Sequence, residues 1–490
     1  MSIDSVPAAR QRDVNDAPMR ADAKYVLYWM VGTRRTHSNF ALQLAVQWGE
    51  KLGIPVLVFE PVRVGYRWAS DRFHAFILQG MADNEKRLQS TPVGYFPYVE
   101  PEEDADKGLL EALAEDAALI VTDEQPGFFQ PRMIASAGSK IGVKMIAVDS
   151  VGLLPLSVPD RTFTRAYSFR RYLQKTLPDH LLHFPDPDPI AGSSLPAFEG
   201  MDPRIEKRWP RATPAILAAE PSAIGALPID HAVGIVEARG GPKAGRARME
   251  AFVDGALDGY GEARNHPDGD GSSRLSPYLH FGHVGVHEVV ARMIEACDWT
   301  VDRLADQANG KREGWWGMPP AYESFLDEIV TWREIGYVEC HRNPAFDRYE
   351  SLPAWAKKTL AEHASDARPH LYDYDELEQS KTGDEIWNAA QRELVRTGHM
   401  HNYLRMLWGK RILEWTSSPR VAFDTMVELN NKWALDGRDP NSYSGILWVL
   451  GKFDRAWGPE RPVFGKIRFM SSDSTRRKLK LRRYLERFCA

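Results

Sequence analysis

Any chemistry in this chain has to be sought first among aromatic rings. Fifteen tryptophans in 490 residues is the one departure from an average soluble composition. Trp387, Trp408 and Trp415 fall in a single stretch, Asp384–Gly445, among good helix formers. Indole is an oxidisable ring, and closely packed indoles can pass an electron. Trp408 and Trp415 are seven residues apart, two helical turns, and so lie on nearly one stripe. Tryptophan stripes are more often core than conduit. The pair Asn430-Asn431 and the charged turn LDGRD follow, offering amides and opposed charges. Glu328 and Trp332, four apart, project from one face of a helix; locally this reads as a surface carboxylate beside a half-buried indole. The string SSRLSPYLHFG (272–282) sets hydroxyls and free N–H groups before a proline-started helix. Such an end can hold a diphosphate, although alone it reads as an ordinary N-cap.

Metal chemistry has no footing in these patterns. Cys297, Cys340 and Cys489 are far apart with no CxxC, and there is no HExxH. This excludes a four-cysteine iron–sulfur or zinc site within the chain and suggests a reducing, cytoplasmic setting. Net charge is −5, yet residues 461–490 hold ten Lys/Arg against two Asp/Glu. That tail is a solvated face or, given the interleaved Phe464, Phe469, Tyr484 and Phe488, a nucleic-acid surface. No apolar run approaches the ~20 residues of a membrane span. Residues 1–22 lack an apolar core and read as a disordered polar leader.

The elements that must position these residues fall into two classes. At 490 residues the chain exceeds one ordinary core. Residues 23–182 alternate apolar runs (KYVLYWM, IPVLVFEP, ALIVTDE, VKMIAVDS) with helical patterns at Phe40–Leu52 and about Arg72–Leu88. The alternation predicts an α/β, Rossmann-like domain with a parallel sheet, and no GxGxxG follows its first strand. Residues 183–245 turn Pro-, Gly- and Ala-rich and read as a long linker with at most short helices. From 246 to 490 nearly every segment has helical apolar spacing, predicting an all-α domain. Thr382-x-x-Glu385 reads as a capping box, Gly398 as a helix end, and Ser418-Pro419 as an N-cap with proline at N1.

Six motifs occur in order in the second half: SSRLSPYLHFG, FLDEIVTWRE, EIWNAAQ, MHNYLRMLWGKRILEWT, LDGRDPN and RPVFGKIR. Together with KYVLYWM, GIPVLVF, VTDE and PDRTFTRAYSFRRYLQKTLPDHL, they make the chain resemble the class II cyclobutane pyrimidine dimer photolyases of the photolyase/cryptochrome family. The resemblance is dense from about Gly255 to Met470.

What the resemblance implies is specific. The all-α domain would hold FAD, active in its reduced form, in a bent shape. Tyr260, Ser273, Arg274, Leu275 and Ser276 match the part that grips its phosphates and ribityl chain, with Arg274 standing where the family usually has a small amide. Arg405 matches the arginine beside the flavin ring and Asp436 its acidic partner, with Asp439 of the same turn in the cofactor set. Asn430 matches the amide facing flavin N5. Trp408, Trp387 and Trp415 match the proximal, medial and distal electron donors. Trp332 and Trp448 match the two aromatics that stack on a flipped dimer, Met406 the pocket floor, and Glu328 the carboxyl that hydrogen-bonds the dimer, for which a raised pKa is expected. Arg264 and Arg468 match the basic residues at the hole left in the duplex. Photolyases are a general example of base flipping, so extrusion follows from the class. The implied activity is a carbon–carbon lyase reaction on pyrimidine dimers in damaged DNA, driven by blue or near-UV light, by a monomer with no metal and no membrane association. A cryptochrome-like blue-light receptor is the alternative. An antenna chromophore, a deazaflavin or a folate, would belong to the first domain. There GTRRTHSN and VDSVGLLP depart from the family's usual pattern.

Overall fold

Four of the apolar runs become buried strands of one sheet, and two further strands join them. The strands are β1 (Gln11–Asp13), β2 (Tyr25–Trp29), β3 (Val56–Val62), β4 (Gly94–Val99), β5 (Ala117–Asp123) and β6 (Met145–Val148). Their order is β1-β6-β5-β2-β3-β4, parallel except for β1. Successive side chains of a strand point to opposite faces. Accordingly Val26 and Tyr28 enter one apolar cluster with the helix Phe40–Leu52, while Leu27 and Trp29 enter another with Ile134 and Trp209. Burial on both faces is why these strands read as continuous apolar runs. The computed structural model describes residues 6–269 and 271–489. It divides into two units: Met1–Val158, Asp179–Glu250 and Leu275–Arg292 form the first, and Pro159–Pro178, Ala251–Arg274 and Met293–Ala490 the second.

Three sequence expectations change. Within the supposed leader, Gln11–Asp13 pairs antiparallel with β6, and buried Arg10 donates to the carbonyls of Asp149, Gly152 and Leu153. An edge strand presents unpaired backbone groups, and these polar residues satisfy them; residues 1–5 lie outside the described part. The supposed linker likewise packs. Ile190, Leu195, Ile205 and Trp209 join the two apolar clusters, and the N–H groups of Phe198 and Ala212 donate to the carbonyls of Pro92, just before β4, and Pro97, within that opposite edge strand. Finally, the helix Ala166–Thr176, assigned from sequence to the α/β domain, belongs to the second unit.

The second unit is helical. One of its apolar clusters joins Leu352, Trp387, Trp408, Trp415, Phe423, Leu447 and, from the basic tail, Phe464, Tyr484 and Phe488. Phe464, Tyr484 and Phe488 are therefore core and not a stacking surface, and Phe469 packs half-buried against them, since an amphipathic tail hides its rings while its cations stay in water. Local stop signals mostly hold. Gly398 takes φ 70° after the helix Glu385–Thr397, and Ser418 accepts from the Val421 N–H at the start of Pro419–Trp433. The Thr382 capping box does not form. Asp384 is the N-cap, accepting from Ile386 and Trp387, while Thr382 Oγ1 donates to Asn388. A carboxylate one residue from the first turn is the better acceptor for its unpaired N–H groups.

Candidate active site

The helical run Pro320–Arg342 contains a π turn, Asp327–Trp332. Such widened turns concentrate at functional sites. Here two adjacent carboxylates reach different partners. Asp327 accepts a two-pronged bond from Arg170 (2.7 and 3.0 Å), and Glu328 meets Arg264 Nη2 at 2.7 Å. Burial raises the Glu328 pKa, with the Arg264 charge acting against it. Arg264 also lies 5.2 Å over the Tyr260 ring, which packs edge-on to Phe252 and Phe325.

Trp332, at the end of that turn, faces a cavity of about 510 Å³ that Trp448, Arg468, Arg170, Tyr167 and Arg312 also line. Two indoles and several cations around one cavity suit a stacked base with its phosphates. Arg468 is held at 2.9 and 3.2 Å by Asp454 and lies 3.9 Å over the Trp457 ring. The lining includes Ala166, Tyr167 and Arg170 from the helix Ala166–Thr176 and Gly310, Lys311 and Arg312 from the loop that follows Asn309. Arg170 and Gln174 bond to the carbonyls of Gly310 and Lys311, and Tyr167 OH donates to Asn309. The sequence reading missed this wall. Its signal was present in FRRYLQK, whose Arg170 sits on the apolar stripe of an amphipathic helix and so needs a buried acid.

A second constellation surrounds the tryptophans. Trp408 and Trp387 stack at 6.5 Å with planes 3° apart, and Trp387 meets Trp415 edge-on at 5.6 Å. The middle ring in space is thus the first in sequence, because Trp387 comes from another helix. Its Nε1 donates to the Trp408 carbonyl, and Trp408 Nε1 donates to Gln391. All three are buried, none more than 3% exposed. Half-buried Tyr372, a residue not singled out from sequence, continues the series 5.2 Å from Trp415.

Three residues from Trp408 on the same helix, Arg405 reaches Asp436 (3.2 Å) and the side-chain Oδ1 of Asn430 (3.5 Å). Asn430 donates to Asn431, which accepts the Arg438 N–H and thereby holds the LDGRD turn. Asp439 caps the helix Pro440–Val449 through the Asn441 N–H and accepts from Tyr337 OH. A guanidinium–carboxylate pair and a buried amide beside an oxidisable indole are a donor set that fits a flavin ring.

Not all expected neighbours meet. Trp332, Trp448 and Arg468 share the cavity, whereas Glu328 and Arg264 bind each other and Met406 packs on the main core. Ser273 and Arg274 belong to the second unit, and Leu275 and Ser276 to the first. Leu275, not a serine, precedes the short helix Ser276–His280, with no side-chain cap. Arg274 adopts φ 53°, a left-handed conformation that asparagine tolerates better than most residues. In the first unit, Asp123 Oδ2 accepts the N–H groups of Val31, Gly32 and Thr33, and Arg34 pairs with Glu60, so the loop GTRRTHSN spends these polar groups internally. Among the described residues no cluster of metal-ligating side chains occurs and no helix is long and apolar enough to cross a membrane.

No family model matches the chain. Curated relatives do. It is 31% identical over 486 residues to the deoxyribodipyrimidine photo-lyase of Methanothermobacter thermautotrophicus, covering 98% of each chain. It is 31% identical to the Arabidopsis thaliana deoxyribodipyrimidine photo-lyase (94% of this chain, 88% of the relative). For that of Potorous tridactylus the figures are 30%, 94% and 81%. Among solved structures, a bacterial class III photolyase from Agrobacterium tumefaciens shares the fold with TM-score 0.67 at 18% identity, covering 95% of this chain and 86% of that one.

Proposed function

The chain belongs to the photolyase/cryptochrome family, and from that premise we propose that it splits cyclobutane pyrimidine dimers in DNA as a class II enzyme. The observation that carries this reading is the cavity bounded by Trp332, Trp448 and Arg468, of which Trp332 stands on the same helical run as Glu328. A pure photoreceptor needs the flavin and its tryptophans but no cation-rimmed, indole-lined pocket. Bound FAD, reduced and excited by blue or near-UV light, would supply the electron that opens the cyclobutane ring and would recover it afterwards.

The protein's own residues would do the remaining work. Arg405, Asp436 and Asn430 hold the ring; the guanidinium favours an anionic reduced form and the amide can donate or accept as its protonation changes. Trp332 and Trp448 stack on the extruded bases, which a distorted lesion yields more cheaply than an intact stack. Arg264 and Arg468 exchange Glu328 and Asp454 for DNA. Once Arg264 has left, burial favours protonated Glu328, which can donate a hydrogen bond to the charge developing on the dimer. Trp415, Trp387 and Trp408 conduct inward in that order.

The test is to reduce the purified flavoprotein, add a dimer-containing oligonucleotide, and illuminate with blue light. Recovery of intact pyrimidines supports the proposal. Tight dimer binding without recovery would favour the receptor alternative.

A further inference from the structure

Lys410 is fully buried, one of the largest side chains in the molecule with no exposure. Its ammonium group donates to the Val449 carbonyl and lies 5.2 Å over the Trp448 ring. It therefore ends the helix Pro440–Val449 where a cation is favoured, and it sits against an indole that lines the cavity. Two charged groups act on it. Asp454 favours the ammonium and Arg468 opposes it. These two are paired with each other, and Arg468 also lies 5.5 Å over the Trp448 ring. On its own helix Arg405 is taken by Asp436 and Arg411 by Asp384 and Glu414. Burial, first, and then Arg468 bring the Lys410 pKa down to about 7.

We propose that Lys410 is a positioning residue that takes up a proton when DNA engages, because Arg468 then leaves Trp448 and Asp454. This rests on the reading that Arg468 moves to the DNA. Departure of a like charge and release of Asp454 both favour the ammonium form. The ammonium ion then holds Trp448 from behind through its π face and through the end of the helix. The proton comes from solvent, and no other bond changes. Below the free protein's pKa the lysine is already charged, and affinity is at its full value. As pH rises through that value, binding must recruit a proton, and affinity falls until the pKa of the complex is passed. A rise of about one unit on binding corresponds to a tenfold total loss of affinity.

The experiment uses the flavin-loaded protein in the dark with a dimer-containing duplex. Affinity is measured from about pH 6 to about pH 8.5 at constant ionic strength. Proton uptake is measured by calorimetry near neutrality in two buffers of different ionisation enthalpy. The wild type should lose about tenfold in affinity across the range and take up about half a proton near neutrality. Lys410→Met should remove the lysine's share of both while retaining flavin. Asp454→Asn, which leaves the lysine in place, should move the transition to lower pH. Equal slopes and equal uptake in wild type and Lys410→Met, or an unmoved transition in Asp454→Asn, overturn the inference and leave the lesion reading standing. A wild type that does not prefer dimer-containing over undamaged duplex overturns both.

Discussion

Replacing Arg170 with methionine removes one side of a buried ion pair whose partners are each 7% exposed. Three bonds go: those to Asp327 at 2.7 and 3.0 Å and that to the Gly310 carbonyl at 3.3 Å. Among the described residues Asp327 keeps Arg312 as an ion-pair partner, 3.8 Å away and 68% exposed, which is too solvated to replace the lost one. Stranding a buried carboxylate in this way costs about 3–5 kcal/mol, whereas replacing both charges by apolar groups of similar volume is often neutral. Arg170→Met should therefore destabilise the helical unit by about 3–5 kcal/mol, and Arg170→Met with Asp327→Leu should recover most of that loss. Denaturant unfolding followed by flavin fluorescence and by tryptophan emission checks both. The single variant should also weaken DNA binding, because the loop 309–312 loses one of its anchors on the cavity wall, the Arg170 bond to Gly310, and keeps those of Gln174 and Tyr167. A single variant within about 1 kcal/mol of wild type, or a double variant no better than the single, would refute the assignment of the pair as mutually dependent.

Other outcomes follow from the same geometry. Trp387→Phe breaks the 6.5 and 5.6 Å ring contacts, so flavin photoreduction should be lost while repair by chemically reduced protein persists; loss of both would refute a purely conductive role. Because the Glu328 pKa is raised chiefly by burial, repair yield should be full below it and decline as pH rises through it. Glu328→Gln, a permanent donor, should flatten that decline, and a quantum-yield profile against pH decides. Gly398→Ala forces a side chain into φ 70° with its Cβ 2.9 Å from Leu435 Cγ, and should cost more than about 1 kcal/mol in unfolding experiments.

The sequence by itself determined what local periodicity and chain-end chemistry determine. The helix Phe40–Leu52 and its Gly53 stop follow from apolar spacing and left-handed tolerance, and so does the Ser418-Pro419 start. The four apolar runs read as strands are strands. Motif order was enough for the family. It also pointed to Trp332, Trp448 and Arg468, whose shared cavity appears only in the folded chain.

Tertiary structure decided what depends on partners far apart in the chain. Arg170 and Asp327 are 157 positions apart, and no window on either shows the other. That Trp387 lies between Trp408 and Trp415 depends on helix packing, since a stripe drawn on one helix cannot include a ring from the next. Polar residues 11–13 became a strand because β6 had an open edge, and the basic tail hid its aromatics because the helical core had room for them. Lys410 reads from sequence as one more cation in a helix; only its burial against Trp448 and Val449, with Asp454 and Arg468 acting on it, makes its charge conditional. The physical reason is common to all of these: backbone preferences are local, whereas burial and the pairing of charges belong to the folded whole.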